Sequence, residues 1–358
     1  MKKKSIIVLL ASVVFCLGLL TTLYSISPIS KSIFRANFSR KIYNKELKED
    51  LVIDVKYNSY YIAGFSDHYV FLANHTSPLH VLIVDYSSGI KTEANIKITD
   101  LNKIKSPEEF RMVVDSPFFH LTHGITPAIF RGYIGQWIAK SSYEKDSDYF
   151  VNAIPIGKNS YALRSLSGFS GGYELGKKKP ASRIEFNLDL LQKQIDGIFC
   201  VDGELHYSKG INRLVYQYFY RNEFIVSDTN LNLIYRGHTI DTFSHARVKV
   251  ADVGNYEKML SEAPTQTNIQ SCVDGNFLLV RSNLLAQNDE IKNFRNESII
   301  DVYNLIDHQY VFSFYIKNLN SSRLLSFRVN KGYLFAMYGE KMVVYRMPIF
   351  PTIDTTAR

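Results

Sequence analysis

The feature that most constrains this chain is a succession of short strand-like segments that fills almost everything after residue 50. Apolar or alternating runs of about five to nine residues are broken about every 8 to 12 residues by Gly, Asn, Asp or Ser clusters, which is typical of all-β proteins. The 24 Tyr and 23 Phe fit this interpretation, because planar side chains pack well on a half-buried pleated surface. Only residues 187–194 and 255–262 predict short helices. An all-β body is therefore expected.

The predicted strands group into six sets of about four, and each set matches one blade of a β-propeller. The sets cover residues 59–98, 110–142, 149–186, 197–240, 269–316 and 324–347. The fourth set holds one segment more than a blade needs, and the sixth holds only three strands. Residues 51–57 form a spare strand at the other end of the body. We therefore predict a six-bladed β-propeller closed by this N-terminal strand, with the two ends joined by backbone hydrogen bonds.

A short repeat supports this division into blades. The tetrapeptide CVDG at residues 200–203 recurs at residues 272–275, each time between an apolar run and the next strand. Asp-Gly favours a tight hairpin, because Gly adopts positive φ without strain. The repeat predicts the same turn in two neighbouring blades.

The sequence around this repeat also resembles known proteins. Residues 195–241, which contain the first CVDG, and residues 270–280 (QSCVDGNFLLV) resemble uncharacterised extracytoplasmic propeller-like proteins of Gram-negative bacteria. Those proteins are distantly similar to six-bladed NHL-type propellers, and the resemblance covers most of residues 51–348. It implies a propeller fold and an outward address. It brings no established activity and no catalytic residues.

The N-terminal segment predicts a membrane helix. Three lysines at positions 2–4 precede an uncharged, mostly apolar run over residues 5–27, and at about 1.5 Å per residue this run is long enough to cross a hydrocarbon layer of about 30 Å. A retained anchor is favoured, because the apolar region of a cleaved signal peptide is shorter, about 7 to 15 residues. A cleaved signal is the alternative, since Ser25-Ile26-Ser27 supplies a small-x-small exit. The charges next to the span favour an inward N-terminus and an outward body.

These expectations divide the chain and give it an address. We predict a cytoplasmic segment over residues 1–4, an anchor or signal over 5–27, a basic linker over 28–50, the propeller over 51–348 and a C-terminal tail over 349–358. The body is expected in the periplasm, held by a single-pass anchor in the inner membrane; after cleavage it would be a secreted periplasmic protein. Residues 31–48 are expected to be a solvated linker, with contact to acidic lipid headgroups as the alternative.

The net charge of +8 lies at the N-terminus rather than on the body. Of the 42 Lys and Arg and the 34 Asp and Glu, nine basic residues and one acid lie within residues 1–48, so the rest of the chain carries 33 of each. A nucleic-acid-binding domain has a basic field across its surface. The formally neutral body therefore argues against nucleic acid as a partner. The partner expected from the sequence is the inner membrane, through residues 5–27.

Two motifs resemble catalytic or metal-binding patterns but lack the context that the chemistry needs. Residues 168–172 (GFSGG) match G-x-S-x-G, yet a serine nucleophile needs a strand–turn–helix unit and strand-like runs flank this stretch on both sides. We predict a hairpin loop there. His120 and His123 are three residues apart, which in a strand directs the two side chains to opposite faces. The sequence predicts no catalytic residue, no metal site and no cofactor.

Cys200 and Cys272 are the only cysteines outside the membrane segment. Equivalent positions on neighbouring blades are expected to lie further apart than the roughly 4.4 to 6.8 Å that separates the Cα atoms of a disulfide, so buried unpaired thiols are favoured. A disulfide stays open if the body faces an oxidising compartment, and so does a redox or ligand role.

The sequence is compatible with two functions of different class. The favoured one is a membrane-anchored extracytoplasmic binding or scaffold propeller that docks a protein, a peptide or a glycan, because no catalytic constellation is recognisable and the site, not the fold, decides function. The alternative is a propeller enzyme, a hydrolase, lyase or oxidoreductase, with its site in the central channel. The candidate channel residues are Asp115, Asn152, Asp202 and Asp274, of which the last two also suit turns.

Overall fold

In the computed structural model, residues 48–346 contain six sheets of four main strands, joined by turns and loops. The structure describes residues 2–26, 35–43, 46–99, 104, 106–142, 149–180, 182–254 and 258–347. The innermost strand of each sheet contacts the innermost strands of its two neighbours, which closes a ring. The predicted all-β, six-bladed propeller is therefore confirmed.

The strands follow the chain from blade to blade, except for the first. β1 (Lys48–Asp54) belongs to blade 6. Blade 1 consists of β2 (Tyr60–Ser66), β3 (Tyr69–Asn74), β4 (His80–Asp85) and β5 (Lys91–Asn95). Blade 2 consists of β6 (Lys97–Ile98), β7 (Arg111–Asp115), β8 (Phe118–His123), β9 (Ala128–Tyr133) and β10 (Ile138–Ser141). Blade 3 consists of β11 (Phe150–Gly157), β12 (Ser160–Ser167), β13 (Gly172–Lys178) and β14 (Glu185–Asn187).

The remaining blades follow the same order. Blade 4 consists of β15 (Gly203–Ser208), β16 (Arg213–Tyr218), β17 (Glu223–Ser227) and β18 (Leu233–His238). A separate hairpin of β19 (Val250–Asp252) and β20 (Lys258–Leu260) precedes blade 5. Blade 5 consists of β21 (Asn268–Asp274), β22 (Phe277–Ser282), β23 (Glu297–Asn304) and β24 (Gln309–Lys317). Blade 6 consists of β25 (Ser326–Asn330), β26 (Tyr333–Tyr338) and β27 (Lys341–Arg346), with β1 as its outermost strand.

The ring is closed by the N-terminal strand of the body, as predicted. β1 runs antiparallel to β27, with Val52 opposite Val343 and Asp54 opposite Lys341. Ile53 is 4% exposed and packs into the core between blades 6 and 1, whereas Val52 on the other face is 46% exposed. This alternation follows from the two-residue period of a strand. The first strand of the body thus completes the last blade.

The hydrophobic core lies between the blades. Six clusters of buried side chains each join two neighbouring sheets, and together they cover all six interfaces of the ring. Strands that are apolar on both faces are needed for this arrangement, because each blade packs against a neighbour on either side. β26 shows the result, with Leu334, Phe335 and Ala336 all fully buried.

The two predicted helices are wrong within the described residues. Residues 188–194 form turns after β14, and the Asn187 side chain accepts the Asp189 N–H at 3.0 Å. A side chain that bonds its own backbone in this way competes with helix formation. Residues 258–260 form β20, while 255–257 lie outside the described residues. A short α-helix is found instead at α2 (Ile291–Asn296), in blade 5.

The CVDG repeat does not mark one turn in two blades. Residues 272–274 end β21, and Gly275 (φ +54°) lies in the hairpin turn that leads to β22. Residues 200–203 instead lead into β15, where Gly203 lies so close to Gln217 that a Cβ would meet its carbonyl oxygen at 2.2 Å. The surplus strand of the fourth set, residues 197–201, is a turn around the buried Asp196. Its carboxylate accepts the N–H groups of Ile198 and Phe199, both at 2.6 Å.

The N-terminal helix is α1 (Lys2–Ile26). Within it, Lys4–Leu23 is long and apolar enough to cross a membrane by length and composition, and none of it is buried against the rest of the protein. A retained anchor and a signal sequence share these properties. The predicted boundary of this segment at residue 27 lies outside the described residues.

Residues 35–43, which we call the strap, pack along blade 5. The Ala36 N–H donates to the Leu285 carbonyl at 2.8 Å. The Tyr43 N–H donates to the Ser313 carbonyl at 2.7 Å, and the Ser313 N–H donates to the Lys41 carbonyl at 2.8 Å. The end of the strap therefore runs parallel to β24 and covers the outer edge of blade 5.

The strap is fastened by a buried arginine. Arg40 is 4% exposed, and its Nε donates to Asp301 Oδ1 at 2.8 Å while Nη1 forms an ion pair with Asp289. Nη1 also donates to the Leu284 carbonyl at 3.1 Å. The expectation of a solvated linker is therefore wrong for residues 35–43. The alternative, contact of the segment with lipid headgroups, does not apply to Arg40, because two carboxylates inside the protein already neutralise it.

Candidate binding site at the channel mouth

A polar cavity of about 560 Å³ lies at the centre of the ring. Its lining includes residues from the innermost strand of every blade, namely β2, β7, β11, β15, β21 and β25. A second cavity of about 490 Å³ lies at the end where these strands turn into their hairpins. We call the first the channel cavity and the second the hairpin-end cavity.

The four predicted channel residues are divided between these two cavities. Asp115, Asn152 and Asp202 line the channel cavity, and Asp115 and Asp274 line the hairpin-end cavity. Asp115 pairs with Lys209 at 3.2 Å. Burial raises the pKa of Asp274, against a backbone hydrogen bond from Lys331 that lowers it. The structure thus brings three of the four together.

A buried arginine gives one wall of the channel cavity a fixed geometry. Arg164 is 8% exposed and forms an ion pair with Asp202 across the boundary between blades 3 and 4. Its guanidinium also lies 4.8 Å above the Tyr173 ring and 3.5 Å from the Tyr216 hydroxyl. An arginine held by a carboxylate and an aromatic face keeps one orientation. This wall is therefore organised before a ligand binds.

A Glu–His–Ser cluster beside the cavity resembles a hydrolase triad but has the wrong geometry. His206 Nε2 lies 2.7 Å from Ser271 Oγ, and the same nitrogen is 3.7 Å from Glu204 Oε2. In a triad the carboxylate orients the other ring nitrogen. Here Ser271 Oγ instead donates to Glu204 at 3.0 Å, and Ser271 is fully buried. The cluster joins the inner strands of blades 4 and 5 and offers no accessible nucleophile.

This cluster keeps the Glu204 side chain ionised. Burial alone would raise its pKa, but the hydrogen bond and charge of His206, the charge of Arg328 and the Ser271 N–H together lower it below its usual value. Glu204 therefore stays ionised and is already occupied by protein donors.

An exposed group of apolar side chains lies at the end of blade 3 next to the channel cavity. We call it the shelf; it consists of Tyr149, Val151, Leu166, Phe169 and Ile195, which are 52% to 90% exposed. Val151 also lines the channel cavity. Leu166 is two residues from Arg164 on β12 and so shares its face. Phe169, in the β12–β13 turn, is the most exposed of them at 90%.

The motifs that the sequence singled out have structural roles. Residues 168–171 form the hairpin turn between β12 and β13, as predicted, and Gly171 there has φ +64°. His120 bonds the Tyr161 hydroxyl at 2.7 Å, while His123 bonds the Ser106 carbonyl at 2.8 Å. The two imidazoles thus serve different partners. Within the described residues, no group of three or more His, Cys, Asp or Glu is placed to hold a metal ion.

Sequence reasoning missed the basic residues of the channel cavity. Arg111 lies at the start of β7, Arg328 lies in β25 and Lys209 follows β15 directly, and all three line the cavity. One feature of the sequence could have identified two of them. Arg111 and Arg328 are the basic residues in the first predicted strand of their sets. Arg164 lies on a second strand, so that signal would have missed it.

The two cysteines of the body are unpaired and lie in different parts of the core. Cys200 Sγ donates to the Asp196 carbonyl at 2.7 Å. Burial raises the pKa of Cys272 to about 12. Since the thiolate is the reactive form, a raised pKa keeps this thiol inert at neutral pH.

We expect neither Cys200 nor Cys272 to react with iodoacetamide at pH 8 in the folded full-length protein, and both to react after denaturation. Buried thiols are shielded, and Cys272 in addition has almost no thiolate at this pH. Peptide mass spectrometry measures both sites at once. Native labelling of either residue, or a disulfide peptide that joins the two, would show that this description of the core is wrong.

Fold and cavity together define a β-propeller with a polar central channel and an apolar shelf beside it. No protein-family model and no curated protein matches the chain. Among solved structures, a member of the DUF4221 family from Bacteroides vulgatus is 12% identical, with a TM-score of 0.51 over 84% of this chain and 97% of its own. A streptogramin B lyase is also 12% identical over the same shares, with a TM-score of 0.46. YCF48 bound to a D1 peptide is 11% identical, with a TM-score of 0.41 over 80% of this chain and 79% of its own.

At 12% identity, the likeness to the DUF4221 structure concerns the fold alone, and it is consistent with the six-bladed propeller. The NHL type, the Gram-negative source and the extracytoplasmic address that the sequence resemblance implies stay predictions.

Proposed function

We propose that this protein is a membrane-anchored binding propeller that docks an extended peptide segment of a partner protein at the channel mouth, by which we mean the shelf and the part of the channel cavity beside Val151. The observation that carries the proposal is the shelf of exposed apolar side chains beside a rigid polar cavity. Contiguous apolar surface rimmed by polar groups marks interaction sites on soluble domains. Apolar anchors beside fixed polar groups are also the usual composition of a binding hot spot.

The shelf favours a peptide over a glycan. Leu166, Val151 and Ile195 are aliphatic, and aliphatic side chains gain contact energy from apolar side chains of a partner rather than from hydroxylated sugar rings. Phe169, at 90% exposure, would bury the largest area on docking. A ring of rigid sheets that presents such a surface needs little rearrangement to bind, which lowers the entropic cost of association.

The proposed address is the periplasmic face of an inner membrane, with α1 as a single-pass anchor. The length and apolar composition of Lys4–Leu23 support the anchor, and the three lysines before it support an inward N-terminus. In this arrangement the partner is a protein of the same compartment or membrane.

Capture from native membranes tests the docking surface. We expect wild-type protein and the control variant Ile90→Ser, which alters a 64% exposed residue between β4 and β5, to crosslink to the same partner. The double variant Leu166→Ser/Phe169→Ser should capture that partner at least about 10-fold less, because hot-spot side chains contribute about 2 kcal/mol or more each. Undiminished capture by the double variant would rule out the shelf as the docking surface.

A further inference from the structure

We propose that the channel cavity binds a carboxylate of the docked peptide through Arg111 and Arg328. This inference rests on the proposed function, since it names the chemistry of the segment that the shelf receives. Both arginines line the cavity that the shelf borders.

The charge of the cavity is not balanced by the groups that line it. Four cations line it, namely Arg111, Arg164, Lys209 and Arg328, against two carboxylates, Asp115 and Asp202. Each carboxylate already has its own partner, since Asp115 pairs with Lys209 and Asp202 with Arg164. The nearby Glu204 is bound by Ser271 and His206, and the charge of Arg328 also acts on it. Arg111 is therefore left without an acidic partner, and together with the free donors of Arg328 it favours an anion from outside the protein.

Both arginines also keep unused hydrogen-bond donors. Arg111 Nη1 donates to the Phe110 carbonyl at 3.1 Å, and Arg328 Nη1 donates to the Ser271 carbonyl at 3.0 Å. A guanidinium has five N–H groups, so these single bonds leave most of them free. Within the described part of the chain, neither arginine has another side-chain hydrogen bond or a carboxylate within 4.0 Å.

A carboxylate of a peptide fits this site. The planar guanidinium binds carboxylates with two parallel hydrogen bonds, and such bonds are about twice as strong as neutral ones. The cavity lies directly beside the apolar shelf through Val151, so one segment with an apolar and an acidic residue reaches both. The source of the carboxylate is an Asp or Glu side chain or the C-terminus of the segment.

The test uses full-length protein in nanodiscs of neutral lipid and a degenerate hexapeptide library. One form of the library carries C-terminal amides, and the other carries free C-termini. We expect the retained peptides of the amide library to be enriched in Asp and Glu over Asn and Gln by about 10-fold, since one charge-assisted contact contributes about that factor. Enrichment only in the free-acid library would assign the carboxylate to the chain end, which also supports the site.

Variants identify the residues that bind the carboxylate. Arg111→Gln and Arg328→Gln should each remove most of the acidic preference, while Arg213→Gln should keep it. Arg213 is a matched control, because its Nη1 donates to the carbonyl of the preceding residue at 3.1 Å, as that of Arg111 does, and it lies on β16 away from the cavity lining. If the Arg328→Gln variant does not fold, the Arg111→Gln variant alone tests the site, because Arg111 is exposed.

The outcomes separate this inference from the proposed function. No acidic enrichment by wild-type protein, or equal loss in Arg213→Gln, would overturn the carboxylate site. Binding of trigalacturonic acid in preference to the acidic peptides would overturn it in favour of an acidic glycan. None of these results counts against the shelf as the docking surface if capture from membranes still depends on Leu166 and Phe169. Loss of that dependence with intact acidic enrichment would refute the proposed docking surface instead.

Discussion

The variant Arg40→Ala is expected to lower the thermal midpoint of the full-length protein by about 5 to 8 °C. The substitution leaves Asp289 and Asp301, which are 3% and 2% exposed, as buried charges without their main partner. Breaking a buried ion pair from one side costs about 3 to 5 kcal/mol, and the unfolding entropy of a body of this size converts that cost into the stated shift. Differential scanning calorimetry measures it.

The adjacent residue supplies the control for Arg40. Lys41 has an exposed side chain and uses only its backbone to hold blade 5, so Lys41→Ala should change the midpoint by about 1 °C or less. A variant in which Arg40→Met is combined with Asp289→Asn and Asp301→Asn should recover part of the loss, because it leaves no unpaired charge. Equal midpoints for Arg40→Ala and Lys41→Ala would mean that the strap is not docked on blade 5.

The second large effect is expected at the closure of the ring. Ile53→Ala should destabilise the protein by about 2 to 4 kcal/mol, because it opens a cavity in the core between blades 6 and 1. Its neighbour Val52 lies on the exposed face of the same strand, so Val52→Ala should cost less than about 1 kcal/mol. Urea unfolding of both variants gives the comparison. Similar losses at both positions would show that β1 does not seal the ring in this register.

The strap also limits how far the body stands from the membrane if α1 is retained. Nine residue steps separate Ile26, the end of α1, from Arg35, the start of the strap, and they span at most about 30 Å when fully extended. Arg35 Nη1 adds to the attachment through the carbonyls of Ala286 and Asp289, at 3.0 and 2.9 Å. The partner segment in the proposed function must therefore come within reach of the membrane surface.

The architecture could be predicted from the sequence because it depends on local patterns. Strand length, turn residues and the count of strands per set are all short-range features. The spare strand at residues 51–57 could be assigned to one blade, because only one set lacked a strand. The prediction of a strand at residues 197–201 was wrong for a physical reason. Its apolar residues look like a strand, but the buried Asp196 carboxylate binds three consecutive N–H groups that a sheet would have used.

The site and the strap were harder to predict because they depend on distant residues. Arg40 meets its two carboxylates across 249 and 261 residues of sequence, and no local pattern marks such a pair. Asp115, Asn152 and Asp202 could be predicted as channel residues from their places on or near innermost strands. Which charges remain unpaired there depends on how six blades meet. The roles of Arg111 and Arg328 therefore required coordinates.

Site-specific photocrosslinking in native membranes tests whether the channel mouth is the binding face. A benzophenone amino acid is placed at Phe169 on the shelf, and in a second protein at Ile90 on the outer part of blade 1, where exposure is also high. We expect one defined adduct from position 169, none from position 90, and crosslinked partner peptides rich in Asp or Glu. Adducts from position 90 with none from position 169 would contradict it.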